Sequence, residues 1–190
     1  MIHDVASVSL ELRRIDRGPQ LDETPPVLSF FDVSTDGDAS AYTDRLREPM
    51  RVGLTLGMTV DFTDDDLPTE GLPDWFIDIS GNLFSQAPEF AKLGRERFLQ
   101  LPGSGPWDLQ SWLFRFAPDE ESRGWAWWDA TIVGDCKVRI WVDSWGESFF
   151  GCNDLRWVAY CAGAKNVDGP HLAQTEEWAA ASVRSSEGQS

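Results

Sequence analysis

The chain has 190 residues, 42% of them hydrophobic and 12% aromatic, and carries a formal net charge of −16. That composition belongs to a globular chain with enough apolar material for a sizeable core, not to a disordered one. A field of this sign repels phosphate backbones, which excludes nucleic acid as a partner class, and attracts basic proteins.

No apolar run approaches the ~18 uninterrupted residues of a membrane span. The opening stretch MIHDVASVSLELRR lacks a basic start followed by an apolar block, so no secretory signal is expected. Cys136, Cys152 and Cys161 are odd in number and form no disulfide framework, which suits a reducing cytoplasm. Arginine outnumbers lysine 13 to 3, a ratio that fits a GC-rich bacterial coding bias more than any chemistry.

From the N-terminus, Ser7 to Arg13 alternates, with Val8, Leu10 and Leu12 on one side, and predicts a strand with one wet face. Gly18 to Pro26 is a polar loop, and Val27 to Val33 predicts a second strand. Asp32, Ser34, Asp36, Gly37 and Asp38 approach the spacing of a calcium loop. The twelfth position is Thr43 where a bidentate Glu is needed, so the segment reads as a solvated turn.

Arg51 to Phe62 is the longest alternating run, with Val52, Leu54, Leu56, Met58, Val60 and Phe62 on one face. It predicts a third strand with Gly53 and Gly57 on the outer face. The acidic, Pro- and Gly-containing stretch Thr63 to Pro73 is the best internal boundary. It divides the chain into a β-rich half (1–66), a linker or loop (67–73) and an α+β half (74–184), with a disordered tail (185–190). The two halves can equally form one domain. Between 74 and 116 helix and strand patterns compete, and Asp108 to Phe116 leans to helix.

The best-patterned stretch runs from Trp125 to Ala164 and holds six of the ten tryptophans. Val138, Ile140 and Val142 alternate with Lys137, Arg139, Trp141, Asp143 and Trp145. The preceding run alternates with Trp128, Ala130 and Ile132 inward and Trp127, Asp129 and Thr131 outward. Parity favours a three-residue loop, Gly134 to Cys136, pairing Ile132 with Val138, Ala130 with Ile140 and Trp128 with Val142. The second face then carries Trp127 opposite Asp143, Asp129 opposite Trp141 and Thr131 opposite Arg139. Either another layer covers this face or it is a binding surface rimmed by carboxylates.

Beyond Phe149-Phe150-Gly151, Leu155, Val158, Ala159 and Ala162 follow the i, i+3, i+4, i+7 spacing of a short helix. Asn153 is its expected cap and Gly163 its stop. Asn166 to Pro170 reads as a turn, and His171 to Val183 as a final helix.

Chemistry is sparse. His3 and His171 are the only imidazoles, and no GxSxG, phosphate loop or dinucleotide fingerprint occurs. Cys152, Cys161 and His171 lack a recognised zinc spacing. Two carboxylates on an aromatic platform are what sugar hydrolysis or sugar binding requires. Asp129, Asp143 and Glu147 among Trp127, Trp141 and Trp145 are therefore the alternative catalytic reading.

The expectation is an α+β fold, mainly antiparallel sheet, with a C-terminal β-hairpin followed by a short packed helix. The expected function is that of a cytoplasmic, non-enzymatic acidic protein. It would bind a basic protein, as an inhibitor or immunity-type protein does. Trp127, Trp141, Asp143, Trp145 and Glu147 are the expected partner-binding residues. No metal or other cofactor is expected.

Overall fold

The computed structural model describes residues 3–64, 66–81, 83–118 and 122–187, with backbone alone after residue 183. The fold is α+β. Four strands, β1 (Val27–Thr35), β2 (Ala126–Gly134), β3 (Lys137–Asp143) and β4 (Ala164–Gln174), form one sheet in the order β2-β3-β1-β4. All neighbours are antiparallel. Thus β1, from before the acidic loop, lies between two strands that follow it.

One sheet face carries Phe31, Val33, Val138, Ile140, Val142 and Val167 into the main core. Helices α1 (Val5–Arg17), α2 (Ala39–Thr59) and α6 (Asn153–Cys161) pack there. Behind them lie α3 (Asp74–Ser80), α4 (Glu89–Leu99) and the short α5 (Leu109–Leu113). The opposite face holds a separate cluster of Leu28, Phe30, Trp128, Trp141 and Ala173. It is closed by Trp178 and Ala181 of α7 (Thr175–Glu187).

Two expected strands are helices. Ser7 to Arg13 lies in α1, capped by Asp4, whose Oδ1 accepts from Ser7 N at 2.8 Å. Val8, Glu11 and Ile15 are buried at i, i+3, i+7, and Leu10, which the alternation placed with Val8, is 39% exposed. A charged residue on the buried stripe hid the helical period, because Glu11 counted as polar.

Arg51 to Thr59 is the second half of α2. Its buried positions Tyr42, Leu46, Met50, Gly53, Leu54 and Gly57 follow helical spacing. The two glycines face the core, not solvent: a Cβ at Gly53 would sit 2.7 Å from the Phe116 ring, and one at Gly57 2.7 Å from the Phe116 carbonyl oxygen. Glycine here permits close packing, and that need overrides its weak helix propensity.

Strand β1 and helix α6 form where the pattern places them, although Cys152, not Asn153, is the cap residue of α6. Asn166 to Pro170 is part of β4, not a turn. The last helix begins at Thr175, not His171. It extends to Glu187, and residues 188–190 of the expected tail lie outside the described residues.

The hairpin keeps its expected register over Asp129↔Trp141, Ala130↔Ile140, Thr131↔Arg139 and Ile132↔Val138. Gly134, however, pairs with Lys137, so the loop is the two-residue Asp135-Cys136 turn with an irregularity at Val133, not the expected three residues. Toward the open end a bulge between Trp127 and Asp129 shifts the pairing to Trp127↔Val142 and Ala126↔Asp143. An extra residue in one strand reverses parity beyond it. Trp127 therefore enters the main core and Trp128 turns to the outer cluster, the opposite of the sequence expectation.

Both sheet edges are met by side chains. At β2, Trp127 N donates to Glu11 Oε2 (2.6 Å). Arg14 donates to the Trp127 carbonyl (3.3 Å) and Arg47 to the Ala130 carbonyl (3.3 Å). At β4, Arg97 reaches the Ala164 carbonyl, Arg156 the Gly169 carbonyl, and Val167 N donates to the Tyr160 hydroxyl. Occupied edge groups leave little template for pairing with another chain.

Candidate functional site

The expected recognition face does not exist as a wet surface. Trp127 and Trp141 are each 0% exposed. The odd-numbered side of β3 does point away from the main core, but α7 covers Trp141, and the bulge carries Trp127 into the interior. Burying two indoles at ~25 cal/mol per Å² and up to ~200 Å² each outweighs any unformed contact with a partner. Trp141 Nε1 instead donates to Thr131 Oγ1 at 3.0 Å.

What stays at the surface is the loop between β3 and α6. Its root is fixed at both ends. Ser144 is buried, and its hydroxyl donates to the Glu147 carbonyl at 2.9 Å while accepting from Ser29 Oγ at 2.8 Å. At the other end Phe150 packs against the core, its ring edge-on to Phe31 at 6.4 Å.

Between these anchors Glu147 N donates to the Ser144 carbonyl at 2.9 Å, closing a four-residue turn. Its central residues, Trp145 and Gly146, both have positive φ, 53° and 79°. Two positive φ values in succession define a type I′ turn, whose first central position favours Asn, Asp or Gly. A bulky side chain in left-handed backbone costs about 1–2 kcal/mol.

Trp145 accepts that geometry because Asp143 Oδ1 takes its amide proton at 2.8 Å and its ring rests edge-on against His3, centroids 5.4 Å apart. The strain is not repaid by full burial, since 43% of Trp145 remains exposed. Four residues on, Phe149 is 93% exposed, and Glu147 lies exposed between them. Phe149 and Phe150 are adjacent in sequence but opposite in exposure. Adjacent aromatics between a turn and a helix cap can divide their work, one anchoring and the other projecting.

Behind the loop is a buried ionic network. Arg123 donates through both terminal nitrogens to Glu11, at 3.0 and 2.9 Å, and stacks against Phe116 and Trp125. His3 Nε2 lies 3.1 Å from the Arg123 carbonyl oxygen. Burial alone pushes the Glu11 carboxyl up, but the Arg123 charge and the donors from His3 and Arg123 bring it down to about 2. For Asp143 burial prevails, raising its carboxyl against the Trp145 amide and the Arg14 charge.

Asp129, Asp143 and Glu147 do not converge on one cleft. Asp129 is 7% exposed, accepts from Trp178 Nε1 at 2.9 Å, and lines a cleft that contains neither of the others. Arg139, on the adjacent strand, pairs with Asp32 instead. Asp36 pairs with Arg97 and Asp38 caps α2, so the calcium-like segment spends these carboxylates separately. His171 pairs with Asp168 on exposed β4, while Cys152 and Cys161 are buried thiols whose ionisation burial opposes. Among the described residues no group of three His, Cys, Asp or Glu could hold a metal ion. No helix among them is long and apolar enough to cross a membrane.

Comparison with family models, curated proteins and solved structures finds no match.

Proposed function

We propose that this chain is a non-enzymatic, acidic protein-binding protein that acts in the cytoplasm as an inhibitor of a basic partner, in the manner of an immunity protein. The observation that carries the reading is Trp145, held in left-handed backbone at the tip of a rooted turn and left 43% exposed. Strain of this kind persists where the surrounding structure over-determines it, and it concentrates at recognition sites. Phe149 supports the reading, because 93% of its surface is in water and burying such a ring against a partner is worth about 2–3 kcal/mol.

Asp143, Trp145 and Glu147, three of the residues the sequence brings forward, remain together at this loop. Trp127 and Trp141 contribute only as buried support for the sheet. Trp is enriched in binding hot spots, and carboxylates beside it set the partner's sign. The net charge of −16 accelerates encounter with a basic surface and makes the rate depend on salt. Burial of Trp127 and Trp141 removes two of the three rings on which the carbohydrate reading would stack a sugar, and Asp129 lies apart from Asp143 and Glu147, which favours protein recognition.

The test is affinity capture from lysate of the native host at low and high salt, with wild type and Trp145→Asn in parallel. The expected result is a basic protein retained by wild type, released by salt and absent from the variant. Retention of the same proteins by both chains, or of partners indifferent to salt, would overturn it.

A further inference from the structure

A second site lies at the opposite end of α1 from His3. There the end of α1, the first half of α2, strand β2 and helix α7 enclose a cleft of about 470 Å³. That volume lies in the range of small-molecule sites. Its charged lining is Arg17, Asp44, Arg47 and Asp129, two positive and two negative groups, in a chain whose overall charge is −16.

Of the two inner charges, Arg47 is the loosely held one. Arg47 Nη2 stands 3.5 Å from Asp129 Oδ1 and 3.3 Å from the Ala130 carbonyl oxygen, both long, and its Nε has no partner. Asp129 accepts from Ala130 N at 2.7 Å and from Trp178 Nε1 at 2.9 Å, yet burial still pushes its carboxyl up. On the rim, Arg17 and Asp44 are exposed, and neither forms a salt bridge among the described residues. By contrast Arg13, Arg51, Arg97, Arg115, Arg123 and Arg139 each hold a carboxylate.

We propose that this cleft binds a small zwitterion, a free amino acid or a dipeptide, its carboxylate on Arg17 and Arg47 and its ammonium on Asp44 and Asp129. A simple anion would meet two carboxylates and a simple cation two guanidiniums, so either would leave like charges opposed in a confined space. A neutral polyol finds no aromatic ring in the lining on which to stack. A ligand bearing both charges matches all four groups, and charge-assisted hydrogen bonds to a guanidinium are the strongest this lining can form. The site shares no residue with the Trp145–Phe149 loop, so each reading stands or falls alone.

The test is calorimetric titration and thermal melting of the full chain with each proteinogenic amino acid, and with glycylglycine as the dipeptide probe. N-acetylated and C-amidated forms of each serve as controls. Saturable binding is expected with at least one unblocked ligand, raising Tm as a native-state ligand must. Blocking either end should weaken it about tenfold, as losing one charge-assisted contact implies. Arg17→Ala and Asp44→Ala, both at exposed positions, should keep the wild-type melting curve without ligand and weaken binding by about the same factor. Tighter binding of glycylglycine than of any amino acid would assign the site to peptide termini, and the reverse order to free amino acids. Absence of binding at millimolar concentration, equal binding of blocked ligands, or unchanged affinity in both variants would overturn the proposal.

Discussion

Replacing Glu11 with Gln keeps the shape of the side chain and removes its charge, which isolates what the buried ion pair contributes. Arg123 is 2% exposed, and its Nε already lacks a hydrogen-bond partner. Without the carboxylate its guanidinium becomes an uncompensated buried cation, a change that costs about 3–5 kcal/mol. The depressed carboxyl gives a similar figure. A fall from 4.5 to about 2, at 1.36 kcal/mol per unit, corresponds to about 3 kcal/mol. Because the folded state holds Glu11 below its unfolded value, this stabilisation is complete above about pH 4.5 and disappears as pH falls toward 2. Urea denaturation of wild type and Glu11→Gln across that window is the assay. The difference in stability should be about 3 kcal/mol or more at pH 7 and shrink toward pH 2. A Glu11→Gln chain within 1 kcal/mol of wild type at pH 7, or a gap that widens in acid, would refute the reasoning.

Three further outcomes are expected. Trp145→Asn creates an Asn-Gly pair in a turn with two positive φ values, so stability should stay level or rise by up to about 1 kcal/mol while partner binding falls. Chemical denaturation and affinity measurement separate the two effects. Gly94→Ala places a Cβ 1.8 Å from the Tyr160 carbonyl oxygen where α4 crosses α6; it should cost about 3 kcal/mol or more, read as a fall in Tm. Trp178→Ala removes the indole that clasps Asp129 and seals the outer cluster. It should cost about 3–5 kcal/mol and shift tryptophan emission to the red as Trp128 meets water.

The legible part of the fold was the part in which a single period ran uninterrupted. Val138, Ile140 and Val142 alternate with no competing spacing, and the hairpin follows. Leu155, Val158, Ala159 and Ala162 have only a helical reading, and α6 follows. In Arg51 to Phe62 a strict alternation coexisted with an i, i+4 pair of glycines. Their role is visible only once Phe116 is placed against them. In α1 the misleading residue was Glu11, a buried charge whose partner lies 112 positions away. The candidate site was half legible: Asp143, Trp145 and Glu147 stand where the strand ends. The burial of Trp127 and Trp141 depended on one bulge and on α7, neither written in the local pattern. Phe149 was passed over because periodicity says nothing about a loop.

The most direct trial of the loop as a docking surface is the dissociation constant of the captured, purified partner for wild type and for Phe149→Ala. Phe149 touches so little of its own chain that stability should stay within about 0.5 kcal/mol. Affinity should fall by about thirtyfold or more, the equivalent of a 2 kcal/mol hot spot. A dissociation constant within about twofold of wild type would contradict the assignment of this loop.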